Sequence, residues 1–337
     1  MKSTILSTAA GAAACMMLMS AAAQAQAQFT MKLSSPTINE VSHEWMKAMK
    51  AGVEQRSAGK IKVELYPANQ LGQLPATIEG VALGTIELSL PAVGFIVGLE
   101  PRFQVFEAPG LFDSVEHAQR VFADPDVRKR LATFGASKGV ESLVTFVNGP
   151  MMLLSHKAIR RISDFKGQKI RAPGGAPIQM EPFKRLGASP LSIPLGEALP
   201  AMQNKTIDGL TGGFAIFTTF KYFDVAKGLT QLPGTFLVAS GLVNRKWMQS
   251  LGPDLEALVR DESRKNEALF STWGVDDVGR VAATWKKSGG ELISFSPADQ
   301  KGYLNETSAA AEAIINANPQ LREDYQALQA AAKKHRR

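Results

Sequence analysis

Cysteine is nearly missing: the 337-residue chain has one, Cys15, in its first segment. A disulfide framework is therefore excluded, as is a zinc or iron–sulfur site built on thiolates. Histidine is scarce too. His43, His117 and His156 stand apart, with no H-x-H or H-E-x-x-H spacing, so no metal site is predicted. His43 and His117 fall in helical stretches, where packing or surface roles are expected. Neither a Walker loop nor G-x-G-x-x-G is present; Pro173-Gly174-Gly175 is a tight turn without the Lys and Ser/Thr of a phosphate cradle. Beyond the first segment, no run reaches the ~18 uninterrupted apolar residues that span a bilayer. Charge is modest, with 38 Lys+Arg against 31 Asp+Glu, or +7. The basic clusters Arg128-Lys129-Arg130, Lys286-Lys287 and the last five residues carry no interleaved aromatics, so they read as solvated faces and a frayed tail, not as a nucleic-acid surface. What is there is ordinary for a globular chain: 45% hydrophobic and 20% charged residues, enough to exclude disorder, over a length that favours two domains.

The first 27 residues read as a cleaved secretory leader: Lys2, an apolar run from Ile5 to Ala23, then A-x-A sites at Ala23-Gln24-Ala25 and Ala25-Gln26-Ala27, the second favoured. A membrane anchor fits poorly because the run is Ala-rich and no stop-transfer pattern follows. A lipoprotein site at Cys15 lacks a Leu three residues before it. Cleavage would remove the one thiol, which suits an oxidising compartment such as the periplasm.

Further on, Val41, Trp45, Met49 and Val53 recur at i+4, an amphipathic helix, and Lys60–Tyr66 alternates as a strand. Helices are predicted over 75–83, from Asp113 (with Glu116 at capping-box spacing) and over 125–134, 178–186 and 197–203. Strands are predicted over 86–90, 143–147, 151–154, 169–171 and 191–193, with another within 235–243. A charged stretch from Pro253 to Lys287 reads as one helix long enough to bridge two domains. The rhythm is α/β: two lobes with mostly parallel sheets, crossing strands and a long bridging helix, an architecture that traps a ligand between lobes. The expected boundaries are 28–147 plus about 235–275 for lobe I, 148–234 plus about 276–330 for lobe II, and a basic tail at 331–337.

Gly135-Ala136-Ser137-Lys138-Gly139 fits G-x-S-x-G, but a nucleophile elbow runs strand–turn–helix and the order here is reversed. Helix-ending turns account for both glycines, and no catalytic set is predicted. Arg171 is the residue that stands out. It ends a short strand just before Pro173-Gly174, where an α/β sheet presents ligand groups, and its guanidinium could grip a carboxylate through two parallel N–H bonds. A surface Arg paired with an acidic neighbour fits the spacing equally well.

Five ordered blocks carry a resemblance. They are Phe106-Glu107-Ala108-Pro109-Gly110-Leu111-Phe112 with Glu116-His117-Ala118; Asp164 through Pro173; Pro194 through Gln203 with Thr206-Ile207-Asp208-Gly209; Asn244-Arg245-Lys246-Trp247; and Ser296-Pro297-Ala298-Asp299. Together they resemble the substrate-binding subunit of TRAP (tripartite ATP-independent periplasmic) transporters, the DctP family, over nearly all of the mature chain. The resemblance implies a bilobal periplasmic-binding-protein (Venus-flytrap) fold and a small organic-acid ligand whose carboxylate Arg171 clamps. It also implies delivery to small and large membrane subunits driven by an ion gradient, and a monomer with no cofactor. Rival readings are a binding protein of an ABC importer or sensor system and an exported enzyme.

The chain departs from its relatives where they hold the ligand. A second Arg that several members carry after Asn148-Gly149 is replaced by Met151. The Glu-Trp of the keto-acid branch is replaced by Thr211-Gly212, so the family's metal site is not carried over. Gly212-Gly213 is expected to leave space, with Met151, Met152 and Phe214 making an apolar wall. The predicted ligand is thus a monocarboxylate with an apolar or aromatic body, held by Arg171. Asn148 and Thr211 are further candidates, each equally open to a structural role in its turn. Ser35 would reach in from the other lobe, and Phe95 would be a lid or plain core.

Overall fold

The computed structural model describes residues 27–336; the expected leader lies outside the described residues except for Ala27. Lobe I begins with β1 (Phe29–Ser34), α1 (Val41–Arg56), β2 (Ile61–Tyr66), α2 (Leu74–Leu83), β3 (Leu88–Ser89) and α3 (Val93–Ile96). A 3-10 turn (Pro101–Glu107), α4 (Val115–Ala123) and α5 (Pro125–Leu131) follow. The chain crosses on β4 (Val140–Ser155) and builds lobe II from β5 (Lys169–Ala172), α6 (Pro177–Arg185), β6 (Ser189–Ser192), α7 (Leu195–Gln203), β7 (Gly209–Gly213) and α8 (Phe214–Thr219). It returns on β8 (Gly228–Asn244), then runs through α9 (Arg245–Ser250), α10 (Gly252–Lys265), α11 (Ala268–Lys287), β9 (Glu291–Ile293), α12 (Pro297–Ala317) and α13 (Pro319–His335).

The described strands form one sheet in the order β2-β1-β3-β8-β4-β7-β5-β6, with β9 beside β8. Its wings are parallel, β1 with β2 and β3, β5 with β6 and β7. Its centre is the long antiparallel pair β4–β8. The two short strands predicted at 143–147 and 151–154 are therefore halves of a single strand. The interruption between them, Asn148-Gly149-Pro150, is a register slip in the ladder, with Gly149 at φ 117°. The partner strand slips too: Pro150 faces Phe236 while Met152 faces Gln231, and Gly234 in between has φ 58°. Glycine is needed at both places because the left-handed region strains any residue with a Cβ.

The apolar periodicity predicted for α1 is used in full: Val41, Trp45, Met49 and Val53 are all buried, each burial favouring the fold by roughly 1.5–3 kcal/mol. The bridging stretch is two helices, not one. Asn266 ends α10 by donating from its side-chain amide to the Glu262 carbonyl, a local bond that competes with helix continuation. The second helix, α11, does the bridging. Phe270 near its start stacks on Phe146 of β4 at 3.8 Å and lies 6.2 Å from Trp45 of α1, whereas Trp285 near its end meets Phe217 of α8 edge-on.

Three more expectations need correction. Ser114, not Asp113, caps α4: its hydroxyl accepts from the His117 N–H at 3.1 Å, and Asp113 donates its N–H to the His117 ring. Residues 319–330, expected with lobe II, pack on α4, α5 and the 101–107 turn of lobe I. The basic tail is not frayed: α13 runs to His335, and Lys334 and His335 both pair with Asp124 at 2.8 Å while Arg336 pairs with Asp113.

Candidate functional site

Arg171 is the penultimate residue of β5. Lys169-Ile170-Arg171-Ala172 pairs with β6 and β7, and Pro173, having no N–H, ends the ladder just beyond. The side chain is 1% exposed, yet among the described residues no carboxylate pairs with it. Its Nε donates to the Ile193 carbonyl at 2.8 Å and Nη1 to the Thr211 carbonyl at 3.0 Å, neutral partners that aim the guanidinium without cancelling its charge. Burial lowers its pKa to about 10, so it stays cationic at neutral pH. A buried, hydrogen-bonded and uncompensated cation is suited to receiving an anion.

Arg171 opens into a cleft of about 560 Å³, counted out to its mouth. Asn148, Gly212 and Phe95 line the same cleft. Asn148, in the slip of β4, also donates to the Ser42 hydroxyl of lobe I at 3.3 Å. Met151 and Thr211 line a neighbouring cavity beyond Pro173, with Glu107, Gln179 and Tyr303; the Thr211 hydroxyl donates to the Arg171 backbone carbonyl. Phe214 is buried in the lobe II core and Ser35 donates to the Thr37 carbonyl; neither is on the lining of the cleft. The space expected at Gly212 is already filled. A Cβ there would come within 2.4 Å of the Ile216 side chain, and one at Gly213 within 3.1 Å of Leu237. The apolar wall is therefore made by Ile216, Leu237, Leu74 and Leu195 with Phe95, not by the methionines and Phe214.

The other lobe supplies a residue that the sequence reading passed over. Glu40 lines the cleft and is 1% exposed. It is the N-cap of α1: Oε1 accepts from the Thr37 hydroxyl at 2.6 Å and the His43 N–H, and Oε2 from the Ser42 N–H. Burial pushes its pKa up, and these donors oppose that. The T-x-x-E spacing of Thr37 and Glu40 ahead of an amphipathic run was the available signal.

The lobes touch around this cleft. Gln179 of α6 donates its amide to Glu107 of lobe I, whose other oxygen accepts from the Val238 N–H. Burial raises Glu107 to about 8. A Cβ on Gly174 would lie 2.5 Å from the Gly94 carbonyl carbon, so the hydrogen side chain is what permits the approach. Among the described residues, no group of three or more His, Cys, Asp or Glu converges on a point that could take a metal ion. Gly135 and Gly139, both left-handed, flank a 3-10 turn, which accounts for the G-x-S-x-G match.

The model of bacterial extracellular solute-binding protein, family 7, matches residues 34–317. The 2,3-diketo-L-gulonate-binding periplasmic protein of Escherichia coli K12 is 25% identical over 243 residues, 72% of this chain and 74% of that protein. The sialic acid-binding periplasmic protein of Vibrio cholerae is 28% identical over 64% of this chain and 67% of its own. Among solved structures, a TRAP periplasmic solute-binding protein from Desulfovibrio salexigens with bound orotic acid superposes with a TM-score of 0.85 at 23% identity, covering 91% of this chain and 99% of that one. One from Shewanella oneidensis with bound succinate gives 0.83 at 20% identity, covering 90% and 99%. These likenesses establish the two-lobed fold.

Proposed function

The chain belongs to the bacterial extracellular solute-binding proteins of family 7, and from that premise we propose that it is the periplasmic binding subunit of a TRAP transporter for an organic acid. The ligand is a monocarboxylate with an apolar or aromatic body. Arg171 binds its carboxylate, and the loaded protein docks as a monomer onto small and large membrane subunits that take the ligand up on an ion gradient. The observation that carries this reading is a buried Arg171 without an acidic partner, at the edge of a cleft whose other walls are mainly apolar. The organic acids named for relatives and structural neighbours support the ligand class. A single cationic anchor favours one carboxylate over two, because a second, left without a partner after desolvation, costs about 1–3 kcal/mol or more.

Closure is a hinge motion at the slip in β4–β8, near Val147 and Thr235, with lobe I over 28–147 and about 235–275 and lobe II over 148–234 and the stretch from 276 to α12. The ligand favours the closed state by contacting both walls. Affinity is expected near micromolar, about −8 kcal/mol.

A thermal-shift screen tests the reading, on protein unfolded and refolded to strip carried-over ligand. Aliphatic and aromatic monocarboxylates, dicarboxylates, keto acids, sugar acids and amino acids are compared on the wild type and Arg171→Ala. Stabilisation by a monocarboxylate, abolished in the variant, is the expected result; at 100 times Kd it is worth about 2.7 kcal/mol. Binding that survives in Arg171→Ala overturns the clamp.

A further inference from the structure

We propose that Glu40 is the selectivity residue of the cleft: its fixed negative charge, on the wall of lobe I, rejects a ligand that carries a second acidic group. The inference rests on the monocarboxylate reading and adds an active cause to it. Lacking a second cation makes a dicarboxylate merely underpaired; a buried carboxylate in the same cleft repels it.

Three observations carry the proposal. First, Glu40 and Arg171 line one cleft from opposite lobes, so a ligand anchored on Arg171 extends among walls that include Glu40. Second, no Lys, Arg or His among the described residues forms an ion pair with Glu40, so its charge is not cancelled locally. Third, every hydrogen bond its carboxylate accepts favours the ionised form. All the groups that contact its oxygens are donors: the Thr37 and Ser42 hydroxyls and two N–H groups at the start of α1, where the helix dipole favours an anion. Burial is the larger influence and raises its pKa. A neutral carboxyl would have to turn a proton toward one of these donors or into the cleft. The substrate class that follows is a monocarboxylate whose far end is uncharged, never a second carboxylate.

The test uses matched acids that differ at one substituent, with Kd measured by calorimetry on ligand-stripped protein. The aromatic series is 4-methylbenzoate, 4-(hydroxymethyl)benzoate and terephthalate; the aliphatic series is hexanoate, 6-hydroxyhexanoate and adipate. In the wild type, the dicarboxylate of whichever series binds is expected to be at least about tenfold weaker than its monocarboxylate, since like charges brought together at a binding site disfavour the wrong partner. Glu40→Gln should narrow that ratio by about tenfold or more, whatever it does to the monocarboxylate Kd itself. Glu40→Asp, which keeps charge and cap, should preserve the ratio. A purely structural role would move both variants together. If Glu40→Gln does not fold, Glu40→Asn, a good capping residue, takes its place.

An unchanged ratio in the neutral variant overturns the proposal, as does a wild type that binds both acids equally. Arg171→Ala separates this failure from that of the parent reading. If binding is lost there but the ratio is indifferent to Glu40, the clamp stands and the filter falls. If binding persists there, or only dicarboxylates bind the wild type, the monocarboxylate reading itself has failed.

Discussion

The two walls of the cleft hold their charges by different means. On the lobe II wall, Arg171 is steadied by two backbone carbonyls, neutral acceptors that leave its positive charge available. On the lobe I wall, Glu40 is occupied by two hydroxyls and two N–H groups at the start of α1. One group is oriented and waiting; the other is engaged in holding a helix end and acts on the cleft through its field. Sign decides which of the two attracts a carboxylate, and the company each keeps decides how free it is to make contact, while burial does not separate them, since both residues are 1% exposed.

Removing the waiting charge is the sharpest way to break this contrast. Arg171→Ala should weaken the carboxylate ligand by about 2–5 kcal/mol, because the ligand anion is then buried without a partner; titration calorimetry reads the loss directly. Next comes the meeting of the walls. Gly174→Ala places a Cβ 2.5 Å from the Gly94 carbonyl carbon, so the lobes cannot approach as closely. We expect affinity to fall about tenfold or more while the melting temperature of the unliganded protein changes little, and small-angle scattering with ligand to show a more open form.

A smaller effect concerns an ionisable group at the lobe contact, Glu107. Its carboxyl is raised from 4.5 to about 8 in the fold, so the native state holds a proton that the unfolded chain releases between those values. Stability is then fully present below pH 4.5 and declines as pH rises toward 8. Thermal melts should show a Tm lower by about 3 °C or more at the top of this window, and Glu107→Gln should flatten the decline while keeping the bond to Gln179. Smallest of all is the tail. Removing Lys334 to Arg337 frees Asp124, whose carboxyl the Lys334 and His335 partners hold far below its usual range. Because the pairs are partly exposed, the loss should be about 0.5–1 kcal/mol in urea unfolding, and it should vanish as pH falls through the acid range.

Much of this was legible in the sequence, because local chemistry decides it. The i+4 series of α1, the alternation of β2 and the Pro-Gly break after Arg171 each act within a few residues. What stayed hidden depends on distant partners. Nothing near Pro150 says that the flanking strands are one ladder, since Phe236 and Gln231 of β8 set the register. Leu237, which fills the space beside Gly213, comes from β8, although Ile216 beside Gly212 stands only four residues on. The break at Asn266 was the exception, a local amide-to-carbonyl bond passed over because the charged periodicity continues across it. Glu40 was overlooked because its place on the cleft wall is set by residues of lobe II that no nearby sequence reveals.

The crossing pair β4–β8 has a consequence for the birth of the molecule. Val140 pairs with Asn244, and all of β5 through α8 is synthesised between them. The sheet of lobe I therefore cannot finish until the ribosome has emitted the return strand, and no cut of the chain yields either half as an unbroken piece. A nascent chain held incomplete for so long stays threadable, and a protein of this design could not be recombined lobe by lobe by joining two gene fragments end to end.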